Sequence, residues 1–198
     1  ISSIVFFIAL IFPVIYFFYD LLNRKNINLI SILGFINILL TGGIGIFGAK
    51  FGLSKNWFIL KEGLLPIIIG LVLTIMSKYR QSSFNRILLN EVLFDNDKIR
   101  NSIKEDMQYE FKYMVRKAGY YLIAGFFISS IIQFTLASLI VVSSPGEPSF
   151  NQEVSTMTWV SYIAVLLPTI LIVGKGYLGL ISGIEKITSL KKDEFLKS

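Results

Sequence analysis

The chain has 198 residues, 54% of them hydrophobic and 16% charged, with a net charge of +6 and a mean hydropathy of +0.66; a soluble domain would carry roughly 25% charged residues. It contains no cysteine and no histidine, which excludes disulfides, thiolate nucleophiles, iron–sulfur ligation, ordinary zinc sites and an imidazole base. Any catalysis would rest on carboxylates, lysines or hydroxyls. No cofactor or metal is implied, and the positive charge lies mostly between apolar runs, where topology and anionic lipid account for it better than nucleic acid does.

A bilayer core takes about 20 apolar helical residues, and five stretches qualify. The expected fold is therefore all-α: a polytopic transmembrane helix bundle of about five spans in a single membrane domain, 1–198. The first span covers 1–19 and closes at Asp20. Ile1 to Phe18 lacks a basic leading region and a small-residue cleavage site, so it reads as a span and not as a signal peptide. After the basic turn "NRKN" the second span covers 28–49. Near its end "TGGIGIFG" places Gly42, Gly43, Gly45 and Gly48, which suit close helix packing. The Lys-Ser/Thr of a phosphate loop is missing there.

The third span, 57–77, carries Lys61 and Glu62 one turn inside its start, in "WFILKEGL". Neighbours on a helix point about 100° apart and pair poorly, so each is expected to need its own partner. One reading is an interfacial structural pair beside the anchor Trp57, with Lys61 snorkelling to the headgroups. The other is a polar site within the bundle, because an ionisable group in a membrane is a functional candidate by default. Glu62, the shorter side chain, separates the two readings.

The segment 78–117 follows, with nine Lys or Arg. Ile99, Ile103, Met107, Phe111 and Met114 recur at helical spacing, which predicts an amphipathic helix. Such a helix would lie on anionic lipid, dock a partner, or cap the bundle and lead into span four. In "FDNDK", Asp95 and Asp97 suit a turn between helices; holding a divalent ion bound to phosphate is the alternative.

Span four covers 118–142 and span five 158–182. The loop between them, "SSPGEPSFNQEVSTM", has two acids and no base, while Lys186, Lys191, Lys192 and Lys197 follow span five. By the positive-inside rule that loop faces away from the cytoplasm, and segment 78–117 and the C-terminus face it. The short loop "KFGLSKN", with Lys50 and Lys55, runs against this orientation. In "GKGYLGLISG", Lys175 sits near the cytoplasmic end of span five, where snorkelling beside Tyr177 explains it. Gly176, Gly179 and Gly183 are candidate packing positions, and Pro66 and Pro168 mark kinks in spans three and five. Glu62 and Lys175 lie towards opposite faces. A polar path between them would need Asn37, Thr41, Thr74, Gln133, Thr135 and Thr169.

"FPVIYFFYDLLNRKNINLISILGFINILLTGGIGIFG" resembles the opening of small bacterial inner-membrane proteins related to the intracellular septation protein A family. "NWFILKEGLLPIIIGLVLTIMSKY" is similar to their third span, "YMVRKAGYYLIAGFF" to their basic approach to span four, and "TWVSYIAVLLPTILIVGKGYLGL" to their tryptophan-led last span. Segment 78–117 is longer here, and Tyr120 or Tyr121 stands where the family usually has tryptophan. The resemblance implies a multi-pass protein of the bacterial inner membrane, tied to envelope maintenance or septation, with no enzyme activity or cofactor. Lys61 fits the family pattern; Glu62 has no assigned place in it.

Three functions are open on these grounds. The first is a non-enzymatic binding or scaffold component whose partners are membrane lipids and other membrane proteins or a homo-oligomer. The second is a subunit of a small-solute or proton-coupled transporter or channel, for which no inverted repeat is evident. A lipid-modifying enzyme would need a carboxylate cluster that Asp95 and Asp97 alone do not make. The burial of Glu62 discriminates the first two.

Overall fold

A computed structural model describes Ile11, Ile15, Asn37, residues 39–44 and residues 47–197. The spans expected over 1–19 and 28–49 lie outside the described residues apart from those few positions. Among the described residues the chain is helical, without strands: α1 (Lys55–Tyr79), α2 (Gln81–Leu88), α3 (Asn96–Ser102), a 3-10 turn (Glu105–Met107), α4 (Gln108–Ile140), α5 (Phe150–Thr188) and α6 (Lys192–Phe195). Three helices, over 55–79, 105–140 and 150–188, are long and apolar enough to cross a membrane.

These helices outrun the apolar stretches that seed them. At 1.5 Å per residue, α4 is about 50 Å long and α5 about 58 Å, against a hydrocarbon core of about 30 Å. The excess is amphipathic sequence: 108–117 before the apolar run of α4, and 150–157 and 183–188 around that of α5. Polar turns cost a helix little once it has nucleated, so propagation carries on past the end of the apolar run.

The chain divides into two compact units whose boundaries fall within the three long helices, at Leu65/Pro66, Ile132/Gln133 and Tyr162/Ile163. The first unit has a small core of Phe58, Ile59, Ala137, Val141, Phe150, Val154 and Met157. Phe58 and Phe150 meet edge to face, with ring centroids 5.7 Å apart. The start of the loop between α4 and α5, residues 141–149, is pinned by Glu153. Its carboxylate accepts from the Val142 and Ser143 N–H groups at 2.9 and 2.8 Å and from the Ser143 hydroxyl at 2.7 Å. Glu147 likewise accepts from the Ser144 N–H at 3.0 Å, so both acids of the segment expected as a loop between spans four and five have structural roles.

The second unit holds the larger core, built from Leu73, Phe84, Leu88, Phe94, Ile99, Val115, Ala118, Leu180, Ile184 and Phe195 among others. Glycines set its helix contacts. A Cβ on Gly125 would come within 2.7 Å of Val173, one on Gly176 within 2.6 Å of the Tyr121 Cβ, and one on Gly119 would collide with the Phe84 ring. Gly183 is equally closed, against the flexible end of Met114. The expectation for Gly179 is not met, because a Cβ there would find nothing within 4 Å.

Segment 78–117 is not one amphipathic helix. Ile103 and Lys104 are extended (ψ 120° and 150°) and separate α3 from the 3-10 turn and α4. Asn101 and Ser102 are weak helix formers, and Glu105 and Asp106 favour the start of a new helix, where negative charge meets the positive end of the dipole. The apolar face survives the break. Ile99 and Ile103 are buried, and Met107, Phe111 and Met114 pack against the same core. Asp95 caps α3 by accepting from the Lys98 N–H at 3.2 Å, which gives it a local structural role.

The C-terminal tail closes this unit. Phe94 and Leu196 form an antiparallel bridge, with Asp95 N–H donating to the Phe195 carbonyl at 2.8 Å and Lys197 N–H to the Leu93 carbonyl at 3.0 Å. The Phe94 and Phe195 rings stack at 6.5 Å, and both are buried.

Candidate functional site

The polar residues worth attention lie where α1 meets the segment that carries Asn37 and Thr41, within the first unit. Lys61 stands six residues into α1, and its head lies over the Phe58 ring. The ammonium has three N–H donors. They find Glu62 Oε1 at 2.5 Å, Thr41 Oγ1 at 2.5 Å and Asn37 Oδ1 at 3.1 Å. The Phe58 ring lies 4.8 Å from Nζ, close enough for a cation–π contact. Thr41 and Asn37 are four residues apart and so share a helix face; the Thr41 hydroxyl also donates to the Asn37 carbonyl at 2.8 Å.

This arrangement corrects the expectation that neighbouring Lys61 and Glu62 would not pair. Their Cβ directions do diverge, but the four-carbon lysine stem is long enough to bend its head over to the glutamate. Snorkelling is corrected as well: the Lys61 side chain is 6% exposed and that of Glu62 14%, so the pair is turned inward. Burial is what makes them pair, because a lone charge in a low-dielectric setting costs several kcal/mol, far more than the bent rotamer.

The other expected site residues lie apart. Lys175 is exposed on α5, in the second unit. Thr74 donates to its own helix, to the Gly70 carbonyl at 2.7 Å. Thr169 shares a 2.8 Å hydrogen bond with Ser129, joining α5 to α4. Of the proposed path, Asn37 and Thr41 gather at the lysine. Of the second-span glycines, Gly42 is buried, and a Cβ on Gly48 would meet Pro145 at 2.6 Å. A Cβ on Gly43 would meet nothing within 4 Å, and Gly45 lies outside the described residues.

No family model, curated protein or solved structure matches this chain. The chemistry of the cluster therefore has to speak for itself. A protonated lysine with every donor engaged has no lone pair for attack and no free donor for a further ligand. Its carboxylate partner is half spent on the same contact. Such a cluster can hold two helical segments together. Sequence reasoning named all four polar residues but cast Asn37 and Thr41 as steps on a path. Their spacing of four was the available signal that both face one partner.

Proposed function

We propose that this chain is a non-enzymatic, multi-pass protein of a bacterial inner membrane, with five spans and a cytoplasmic C-terminus, that works as a binding or scaffold component. The observation that carries this is the saturation of Lys61: all three of its donors are used internally, by Glu62, Thr41 and Asn37. The ion pair then serves as a fixed joint. The outward apolar surface of α5 agrees with a role in contacts, since only 6% of its most apolar window is buried, against 39% for α1. The resemblance to proteins related to septation protein A suggests envelope maintenance or septation as the setting. Membrane lipids and other membrane proteins, or further copies of this chain, are the corresponding partners.

The second reading is a proton-coupled transporter or channel subunit. It is favoured by the inward burial of an ionisable pair, which membrane proteins otherwise keep rare. One experiment separates the two. A deletion strain is complemented with the double variant Lys61→Met, Glu62→Leu, and cell length and envelope permeability are scored. A joint can be replaced by apolar residues of similar volume, so full complementation is expected. Failure by a variant that accumulates and folds normally would overturn the scaffold reading in favour of transport.

A further inference from the structure

The start of α4 has two sharply different faces. Phe111, Met114, Val115 and Ala118 turn into the core of the second unit. On the opposite side Tyr109, Tyr113 and Tyr120 are 83%, 57% and 58% exposed. At 100° per residue, these three tyrosines and Arg116 fall within about 60° of one another around the helix. Lys112 and Lys117, both exposed, flank the stripe on either side. Glu110 is the one acid between Tyr109 and Tyr120, and it lies beyond Lys117 on the edge of the face. Tyrosines this large and this exposed have no folding reason to sit together on a water-facing helix.

Their position along the chain supplies a reason. Arg116 and Lys117 are the last charges before an uncharged run that continues to Gly146. Tyr113 to Tyr120 spans about 10 Å of helix, comparable with the polar layer on one side of a bilayer, which is roughly 5–8 Å deep. Amphipathic rings favour that layer, and arginine presents a planar fork that matches phosphate oxygens. Tyr109 and Lys112 then stand at its outer margin. We propose that this face of α4 is a binding surface for anionic phospholipid headgroups. Arg116 engages the phosphate, Lys112 and Lys117 raise the local affinity, and the hydroxyls of Tyr113 and Tyr120 lie at the glycerol level.

This proposal rests on α4 crossing a membrane, and the test separates the two. Trp57 and Trp159 are replaced by Phe, and Tyr113→Trp supplies the only tryptophan. The full chain is reconstituted in vesicles of phosphatidylcholine and phosphatidylglycerol, with bromine quenchers high on the acyl chains of one lipid or the other. The expected result is quenching by the brominated anionic lipid that corresponds to about fivefold enrichment over its mole fraction, the scale of one base's attraction to an anionic surface. Enrichment should fall towards unity when Lys112, Arg116 and Lys117 are all changed to Gln, with the circular dichroism spectrum unchanged. Equal quenching by both lipids would overturn the headgroup surface while leaving the span intact. Absence of quenching by either would overturn both. Loss of enrichment on adding inorganic phosphate at constant ionic strength would reassign the surface to a free phosphate ion.

Discussion

Replacing Glu62 by Leu leaves the Lys61 ammonium facing two neutral acceptors and a ring, with no countercharge. Its hydrogen bonds to the neutral acceptors Asn37 and Thr41 contribute about 1.5–3 kcal/mol each but carry no opposite charge, so they do not make up for a countercharge lost from a buried ammonium. Removing one partner of a buried pair costs about 3–5 kcal/mol, and Glu62→Leu should fall in that range. Lys61→Met should lie at its lower end, because the 14% exposure of Glu62 lets water reach the stranded carboxylate. Removing both charges leaves nothing stranded except the Asn37 oxygen, since Thr41 keeps its bond to the Asn37 carbonyl. The double variant should therefore lie within about 1 kcal/mol of the wild type, a coupling of about 3 kcal/mol or more in the double-mutant cycle. The assay is unfolding in mixed micelles by titration with sodium dodecyl sulfate, followed by far-UV circular dichroism. A double variant as unstable as the sum of the single ones would refute the reasoning. The charges would then contribute independently, and the inward ion pair would not be the joint.

Two further outcomes test the packing. Gly176→Ala should destabilise by about 1–3 kcal/mol through overpacking, because the new methyl meets the Tyr121 Cβ, which cannot move without its backbone. Gly179→Ala, three residues along the same helix and facing open space, should be neutral or stabilising by up to about 1 kcal/mol from helix propensity; equal losses at both positions in the same assay would contradict this packing. In the C-terminal tail, Phe195→Ala should cost about 3–5 kcal/mol, the usual range for a fully buried phenylalanine. It should also speed amide exchange in residues 89–98, which the tail covers through Phe94; unchanged exchange there would show that the tail is not part of the fold.

Hydropathy exposed the three helices long and apolar enough to cross a membrane because twenty apolar residues in a row is a long-range signal that no local detail can mask. Where those helices end was harder to read. Residues 150–157 are polar enough to look like loop, yet helix propagation carries through them. The break at Ile103 was hidden for the opposite reason. A spacing of four runs unbroken from Ile99 to Phe111, but a core can collect such residues from two helices as readily as from one. The glycines show the limit of pattern reading most directly. Gly176 and Gly179 look alike in "GKGYLGLISG", and only the neighbouring helix decides that one faces Tyr121 and the other open space.

The charged pair failed to declare itself for a related reason. Sequence spacing gives the direction of a Cβ, and by that measure Lys61 and Glu62 diverge. It says nothing of the dielectric around them, and the dielectric decides the outcome. On a water-exposed helix a contact between neighbours would lose to hydration, since exposed pairs gain at most about 1 kcal/mol. Once α1 buries both side chains, leaving them apart costs several times more than bending the lysine stem, so the unfavoured pairing becomes the stable one. The same reasoning explains why Asn37 and Thr41 both face the ammonium: two neutral acceptors at a spacing of four lie on one helix face and complete its shell. A lysine so enclosed fixes the approach of two helical segments, and its removal without that of Glu62 should cost about 3 kcal/mol, comparable with the loss of a buried apolar side chain at that joint.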